Sequence, residues 1–488
     1  MRYFVTGATG FIGKRLVRKL LAEKDSQVWF LMRKDSSGKL DGLRAFWQVD
    51  AARAIPLFGD IRAAQCGIQD SDIDALAGKV DHFYHLAAIY DLKAGAPEQI
   101  ATNIEGTRNA VALANRLRVG CFQHMSSIAA AGLYEGTFRE DMFDEAENVD
   151  HPYFATKHAS EKLVREECRV PWRVYRPGLV VGDSVTGEAE KIDGPYYFFK
   201  LIQRLRSLLP PWMPAPGLEG GRINIVPVDY VVDALSCIAH QPGLDGKCFH
   251  LTDPAPKRVG EVLDIFAHAG HAPAMTLRIN AALFGFIPVG IRKGLATLKP
   301  VRRLRAALMD DLGLPQGIMQ FVNYPTRFDN REAARVLKEH GIACPPLDQY
   351  AERIWDYWER HLDPDLFVDR SLRGTVQGKI VLVTGGSSGI GLATAHKLAE
   401  AGAVTIICGR DEARLAEARR QIVEHGGAVT TYAVNLADAA DCERFLTLLK
   451  AEHGHVDILV NNAGRSIRRT VEASFDRLHD FERTMQLN

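Results

Sequence analysis

Tyr153 and Lys157 stand four residues apart in Pro152-Tyr153-Phe154-Ala155-Thr156-Lys157, a stretch that reads as the start of a helix, so both side chains share one helical face. A phenol with its ordinary pKa of about 10 is a poor acid–base group at neutral pH. An ammonium beside it is expected to stabilise the phenolate and lower that value. Ser127 closes the apolar run Cys121-Phe122-Gln123-His124-Met125 and lies 26 residues before Tyr153. From a strand end it can hydrogen-bond a carbonyl oxygen that Tyr153 protonates while hydride reaches the carbon. The chemistry these residue types could do is carbonyl reduction, which requires a hydride donor. Gly7, Gly10 and Gly13 offer its seat: they stand in Gly-x-x-Gly-x-x-Gly spacing after the apolar run Tyr3-Phe4-Val5-Thr6. Phe11 and Ile12 then open a pattern continued by Leu16, Val17, Leu20 and Leu21 at helical spacing. Residues without Cβ let the turn's N–H groups approach a pyrophosphate at the helix N-terminus.

The elements that must position these groups follow in order. Gln27 to Met32 reads as a second strand ending at Arg33, and a basic residue there suits the 2′-phosphate of NADPH rather than a free ribose hydroxyl. Ile55 to Phe58 is a third strand closed by Gly59-Asp60-Ile61, with Asp60 and Ile61 expected beside the adenine. His82 to Leu86 is a fourth, whose small successors Ala87 and Ala88 let the strand end lie against the cofactor; His85, inside that apolar run, is given no chemical role. A helix is expected over Asn103–Leu117 and a further strand at Val174–Gly178, which brings Pro177 to the cofactor. The alternation predicts an α/β, doubly wound parallel sheet of Rossmann type with a small substrate lobe, mainly 183–225 and 255–350, and a closing helix from Tyr350 to His361. Within the lobe, Gly194 to Phe199 and Leu208 to Pro214 are aromatic and proline-rich, which fits either a pocket for a long hydrocarbon or the plain core of the lobe. Ala281 to Ile291 is apolar and is followed by Arg292, Lys293, Lys299, Arg302, Arg303 and Arg305. The segment 292–305 suits peripheral contact with a membrane face or coenzyme A phosphates, or a solvated helix.

Composition narrows the classes. The 488 residues are 47% hydrophobic and 25% charged, as in a globular protein with two or three cores. Lys plus Arg and Asp plus Glu number 60 each, so no global field draws the chain to nucleic acid. The eight cysteines form no C-x-x-C pair, which argues against zinc or any other metal site and against a disulfide framework, and points to a reducing cytoplasm. No leader and no bilayer-length apolar run is read. Residues 363–378, poor in apolar types, read as a linker after a first domain at 1–362. Beyond it the opening pattern repeats over 379–488: a strand at Lys379–Thr384, then Gly385, Gly389, Ile390 and Gly391 in Gly-x-x-x-Gly-x-Gly spacing. Arg410 follows Gly391 by 19 residues, again the NADPH signature; Asn461-Asn462-Ala463-Gly464 resembles the fourth-strand motif of short-form dehydrogenase/reductases, which implies Asn462 and Gly464 at the cofactor. No serine strand and no Tyr-x-x-x-Lys follow. The second unit is therefore expected to be an incomplete Rossmann unit, a fragment or one completed by a partner, with a strand edge left exposed.

In the first unit Thr6-Gly7-x-x-Gly10-Phe11-Ile12-Gly13, His85-Leu86-Ala87-Ala88, Asn103-x-x-Gly106-Thr107, Ser126-Ser127, Tyr153-x-x-x-Lys157 and Arg176-Pro177-Gly178 fall in the order of the short-chain dehydrogenase/reductase superfamily, whose extended form this half of the chain resembles. The resemblance implies a Ser127, Tyr153, Lys157 triad in which Lys157 also holds the nicotinamide ribose. Ala131 departs from it, standing where many extended members have tyrosine. The tandem of an extended and a short-form unit resembles the bacterial two-domain fatty acyl-CoA reductases. That resemblance implies NADPH-dependent reduction of a long-chain acyl-CoA or fatty aldehyde toward alcohol, with the aldehyde step in the first unit; a homo-oligomer is compatible with it. A hydroxysteroid or sugar-nucleotide carbonyl reductase, and an NADP(H)-sensing binding protein, are the other readings.

Overall fold

Apolar runs rich in Val, Ile, Phe and Tyr form the strands of a computed structural model that describes residues 1–89, 96–190, 192–210, 212–275, 277–280, 324–464 and 479. Two units separate, Met1–Asp363 and Pro364–Asn488. In the first, β1 (Arg2–Thr6), β2 (Gln27–Met32), β3 (Ala54–Phe58), β4 (His82–His85), β5 (Cys121–Met125), β6 (Trp172–Pro177) and β7 (Cys248–Leu251) make one sheet in the order β7-β6-β5-β4-β1-β2-β3, parallel throughout. Alternate residues of β1 enter opposite cores. Phe4 packs with Phe83, Phe122, Val111 and Leu113, whereas Val5 packs with Leu16, Val17, Val231 and Leu235. Both faces of the strand are thus buried, which is why it reads as an unbroken apolar run. Strand order reverses between β1 and β4, so their C-terminal ends open the crevice in which such folds bind ligands.

The expected helix over Asn103–Leu117 is regular only from Gly106 to Leu117; Ile100–Glu105 is a π-helical stretch. Its widened turn lets the Asn103 amide donate to Ile89 O (2.9 Å) and accept from Ile89 N (2.8 Å). The lobe is built on Phe199–Leu208, Val259–Ala269 and Ala351–His361, whose Phe199, Phe266, Trp355 and Trp358 pack together with ring centroids 4.7 to 5.4 Å apart. Thr326–Phe328 returns beside the first half of the chain by pairing in parallel with Gly136–Phe138. The basic segment 292–305 and the apolar run before it lie outside the described residues.

The second unit has four parallel strands, β8 (Ile380–Thr384), β9 (Val404–Gly409), β10 (Val429–Ala433) and β11 (Ile458–Val460), in the order β10-β9-β8-β11. It has its own apolar clusters on Val381, Val383, Leu398 and Ile407 and on Ile406, Phe445 and Leu449. Among the described residues β11 is an edge strand, and its Leu459 is 57% exposed. The segment 363–378, read as linker, contains a short helix, Leu372–Val376, capped by Ser371.

Candidate active site

The turn after β1 is dictated by close approach. Gly7 has φ +76°, and a Cβ there would lie 2.7 Å from Ala87 N; a Cβ on Gly13 would lie 2.0 Å from Gly7 O. Gly10 caps the helix Phe11–Leu20 with no side-chain partner for its first N–H groups, so the helix end with its partial positive charge faces the crevice. That cradle fits a pyrophosphate. Gly7, Gly10, Phe11, Ile12, Gly13, Arg33, Asp60, Ile61, Ala87, Ser127, Tyr153, Lys157 and Pro177 all line one cleft of about 860 Å³. Arg33 is exposed at its edge near Ser36 and Lys39, where cationic and hydroxyl groups suit a phosphate. Asp60 has its carboxylate held by Arg62 (Nη2 to Oδ2, 2.6 Å), which lowers its pKa.

Tyr153, Lys157 and Ser127 are set by two neighbouring elements. Ser127 ends the segment after β5 and its Oγ accepts from Ala129 N at 3.2 Å. Pro152–Glu167 is the helix carrying Tyr153 and Lys157; His151 caps it, its ring Nδ1 accepting from Tyr153 N at 3.2 Å, and Pro152 takes the first position, where no N–H partner is needed. Ser127 and Tyr153 line the same cleft, and the Ser127 hydroxyl acts to lower the Tyr153 pKa.

Their electrostatics differ from the expectation that Lys157 makes the phenol acidic. Burial raises the pKa of Tyr153, the Asp193 carboxylate adds to it, and only the Ser127 hydroxyl opposes it. Lys157 is itself buried, at 5% exposure, and burial lowers its pKa to about 8 against the opposing charge of Glu161. A low-dielectric pocket disfavours both charged forms, and that effect outweighs the attraction the i, i+4 spacing suggested. The arrangement therefore keeps a protonated phenol, a proton donor, at neutral pH.

Behind the site runs a buried polar chain. Thr6 Oγ1 meets His85 Nδ1 at 2.8 Å, His85 Nε2 meets Thr107 Oγ1 at 3.1 Å, and Thr107 donates to Asn103 O at 2.6 Å. The Asn103 amide reaches Thr156 Oγ1 at 3.3 Å, and Thr156 donates to Tyr153 O at 3.1 Å. His85 is thus a bridge between the glycine strand and the Tyr153 helix, held neutral with a pKa near 3 by burial.

Apolar side chains of the lobe also line the cleft. Tyr197, Phe198, Val262 and Leu263 face it, while Phe199 and Trp355 form the core of the lobe behind. The first aromatic run of the insertion thus serves both roles. Leu208 and Trp212, from the second run, are 77% and 79% exposed and line neither. Tyr324 is a site residue that local patterns missed. It lines the cleft, donates to Gly132 O, and packs its ring on Phe154 and Phe328, each 6.1 Å away. It comes from the far side of the lobe, 171 residues after Tyr153, with no motif around it.

In the second unit Gly385 has φ +67° and Gly389 φ +56°, and a Cβ on Gly391 would lie 2.3 Å from Gly385 O. Asn462 Nδ2 donates to Thr384 O (3.0 Å) and Gly385 O (3.2 Å), which ties the fourth-strand end, including Gly464, to the glycine turn. Ile390 is 80% exposed, and Arg410 stands exposed after β9.

Comparison with known proteins agrees with this geometry. Residues 5–235 match the family described as male sterility protein, an NAD-binding family, and residues 379–488 match the short chain dehydrogenase family. Fold and matches together place this chain among proteins similar to NAD(P)-dependent reductases, and they support a nicotinamide dinucleotide as its cofactor. Within that class the chain is similar to glycine betaine reductase ATRR of Emericella nidulans, 26% identical over 99% of this chain and 39% of that protein. It is also similar to a fatty acyl-CoA reductase of Acinetobacter baylyi, 47% identical over 116 residues, 24% of this chain and 39% of that protein. The chain spans under two fifths of the length of these relatives. In structure it resembles the terminal R domain from the myxalamid PKS-NRPS pathway (23% identity, TM-score 0.58, 74% of this chain and 90% of that one). The UDP-glucuronic acid 4-epimerase from Bacillus cereus bound to NAD shares the fold at 17% identity, TM-score 0.51, over 74% of this chain and 99% of that one. Among the described residues no helix is long and apolar enough to cross a membrane, and no cluster of His, Cys, Asp and Glu could hold a metal.

Proposed function

We propose that this chain is an NADPH-dependent reductase of long-chain acyl groups acting toward fatty alcohol, and that its first unit reduces the fatty aldehyde. The observation that carries the reading is one cleft lined by the glycine cradle, by Ser127 and Tyr153, and by the apolar side chains of Tyr197, Phe198 and Leu263. The glycine cradle would hold a reduced nicotinamide dinucleotide, which would supply hydride to the carbonyl carbon. Tyr153 gives its proton to the carbonyl oxygen, and Ser127 hydrogen-bonds the same oxygen, so the developing negative charge is met by two hydroxyls. Lys157, as a cation below its pKa of about 8, restrains the ribose and stabilises the tyrosinate left behind. Arg33 supports NADPH over NADH. The relative named as a fatty acyl-CoA reductase supports the acyl class.

The deciding experiment follows NADPH consumption with long-chain acyl-CoA, a fatty aldehyde, a sterol ketone and glycine betaine, in the native chain and in Tyr153→Phe. Aldehyde turnover that disappears in Tyr153→Phe, with NADPH affinity within a few-fold, is the expected result. Retained turnover in that variant, or turnover of a polar substrate alone, would overturn the proposal.

A further inference from the structure

Directly beneath Ser127 and Lys157 lies an ionic cluster that the proposed chemistry does not use. Glu161 and Arg176 both have 0% side-chain exposure, and they are joined by a two-point fork: Arg176 Nη2 donates to Glu161 Oε1 at 2.6 Å and Nε to Oε2 at 2.9 Å. Arg165 donates to Oε1 through Nη2 at 2.7 Å and Nε at 3.0 Å, and Ser126 Oγ donates to Oε2 at 2.9 Å. Arg176 Nη1 meets His250 Nε2 at 3.2 Å. His250 Nδ1 lies 2.7 Å from Asp329 O, an acceptor, so Nδ1 carries the proton and Nε2 accepts from the guanidinium. The second Nη2 hydrogen of Arg176 goes to Met142 O at 3.0 Å, so each nitrogen of the guanidinium and each oxygen of the carboxylate has a partner.

Burying two ions costs more than a well-packed apolar pair would, so such a cluster is weak evidence for stability. Its connections are more telling. Glu161 is one turn beyond Lys157 and two beyond Tyr153 on the same helical face. Ser126 is the residue before Ser127, and Arg176 is the residue before Pro177 in the cleft. One carboxylate therefore touches each of the three segments that carry the site.

We infer that Glu161, clamped by Arg176 and Arg165, is a positioning residue that fixes Ser127, Tyr153 and Lys157 relative to one another and holds the buried Lys157 ammonium in its charged form. This rests on the roles proposed above for those three groups. The groups facing Lys157 leave Glu161 as its counter-charge. From β4 and β5 it is faced by His85 and His124, both held neutral by burial, and on its own helix by the protonated Tyr153 and by Glu161. Arg176 on β6 and Arg165 on the helix are both engaged by Glu161 itself.

The test compares the full chain with E161Q and R176K, each checked for folding by near-ultraviolet circular dichroism. NADPH and NADH are titrated by fluorescence, and aldehyde turnover is measured, between roughly pH 6 and 10 to span the Lys157 titration. E161Q is expected to move the pH midpoint of cofactor binding down by about one unit, because the buried cation loses its counter-charge. R176K keeps the charge but loses the fork, so it is expected to leave that midpoint in place while lowering kcat roughly tenfold with cofactor KM within about twofold. A folded E161Q with an unmoved midpoint overturns the electrostatic role, and native kcat in R176K overturns the positioning role; R176K decides alone if E161Q does not fold. Cofactor titration needs no turnover, so a native chain that reduces no aldehyde would count against the proposed function and not against Glu161.

Discussion

At the residue scale the site is governed by how far burial opposes charge. Lys157 has its pKa lowered to about 8, so its proton is lost as pH rises through that value, while the raised pKa of Tyr153 keeps the phenol protonated over the same range. Reduction is expected to hold level from neutral pH and to fall above about pH 8, with a single basic limb; a profile flat to pH 10 would assign that limb elsewhere. Arg33→Ala should weaken NADPH binding by at least about tenfold and NADH much less, measured by fluorescence titration, since a guanidinium on a 2′-phosphate is a charge-assisted contact. Tyr324→Phe removes the donor to Gly132 O. It is expected to cost about 1 kcal/mol of stability in denaturant titration and to raise the KM for aldehyde more than that for cofactor.

At the element scale, two constraints were imposed by neighbours distant in sequence. Gly13 allows the first turn of its helix to pass within contact of Gly7 O, and Gly13→Ala is expected to abolish cofactor binding because either the turn or the helix must shift. Glu140 is the second case. Its Oε2 accepts from Glu332 N at 2.7 Å and its Oε1 from Ala333 N at 3.1 Å and His250 N at 2.9 Å, so it caps the helix Arg331–Glu339 from the other half of the unit. Burial nonetheless pushes its pKa up to about 7, from an ordinary value of 4.5. A carboxyl whose folded pKa is raised binds more protons in the folded state, so stability falls as pH rises from about 4.5 through 7, by on the order of 3 kcal/mol at the upper end. Urea titrations of the native chain at pH 5 and pH 8 should show that loss, and Glu140→Gln should flatten it. The single helix expected over Asn103–Leu117 illustrates why such details escaped the sequence. Its π-helical first turns exist because Asn103 is bound on both sides by the backbone of Ile89, a contact with no periodic signature.

At the scale of the whole molecule, the two units have separate cores and separate glycine turns. A thermal scan of the full chain is expected to resolve two transitions, and Gly13→Ala should remove the cofactor-dependent rise of one of them only. A single transition that shifts as a whole would mean that the units unfold together. The sequence by itself determined the parallel α/β class, the repeat of a glycine turn in each half, and the helix face shared by Tyr153 and Lys157, because strand burial, tight turns and i, i+4 spacing are local properties of the chain. Only the tertiary structure decided what those residues feel. Burial raises the pKa of the phenol that a neighbouring ammonium was expected to lower, Tyr324 enters from the far side of the lobe, and Glu161 gathers three segments on one carboxylate. Dielectric environment and long-range contact belong to the packed whole, and spacing along the chain does not encode them.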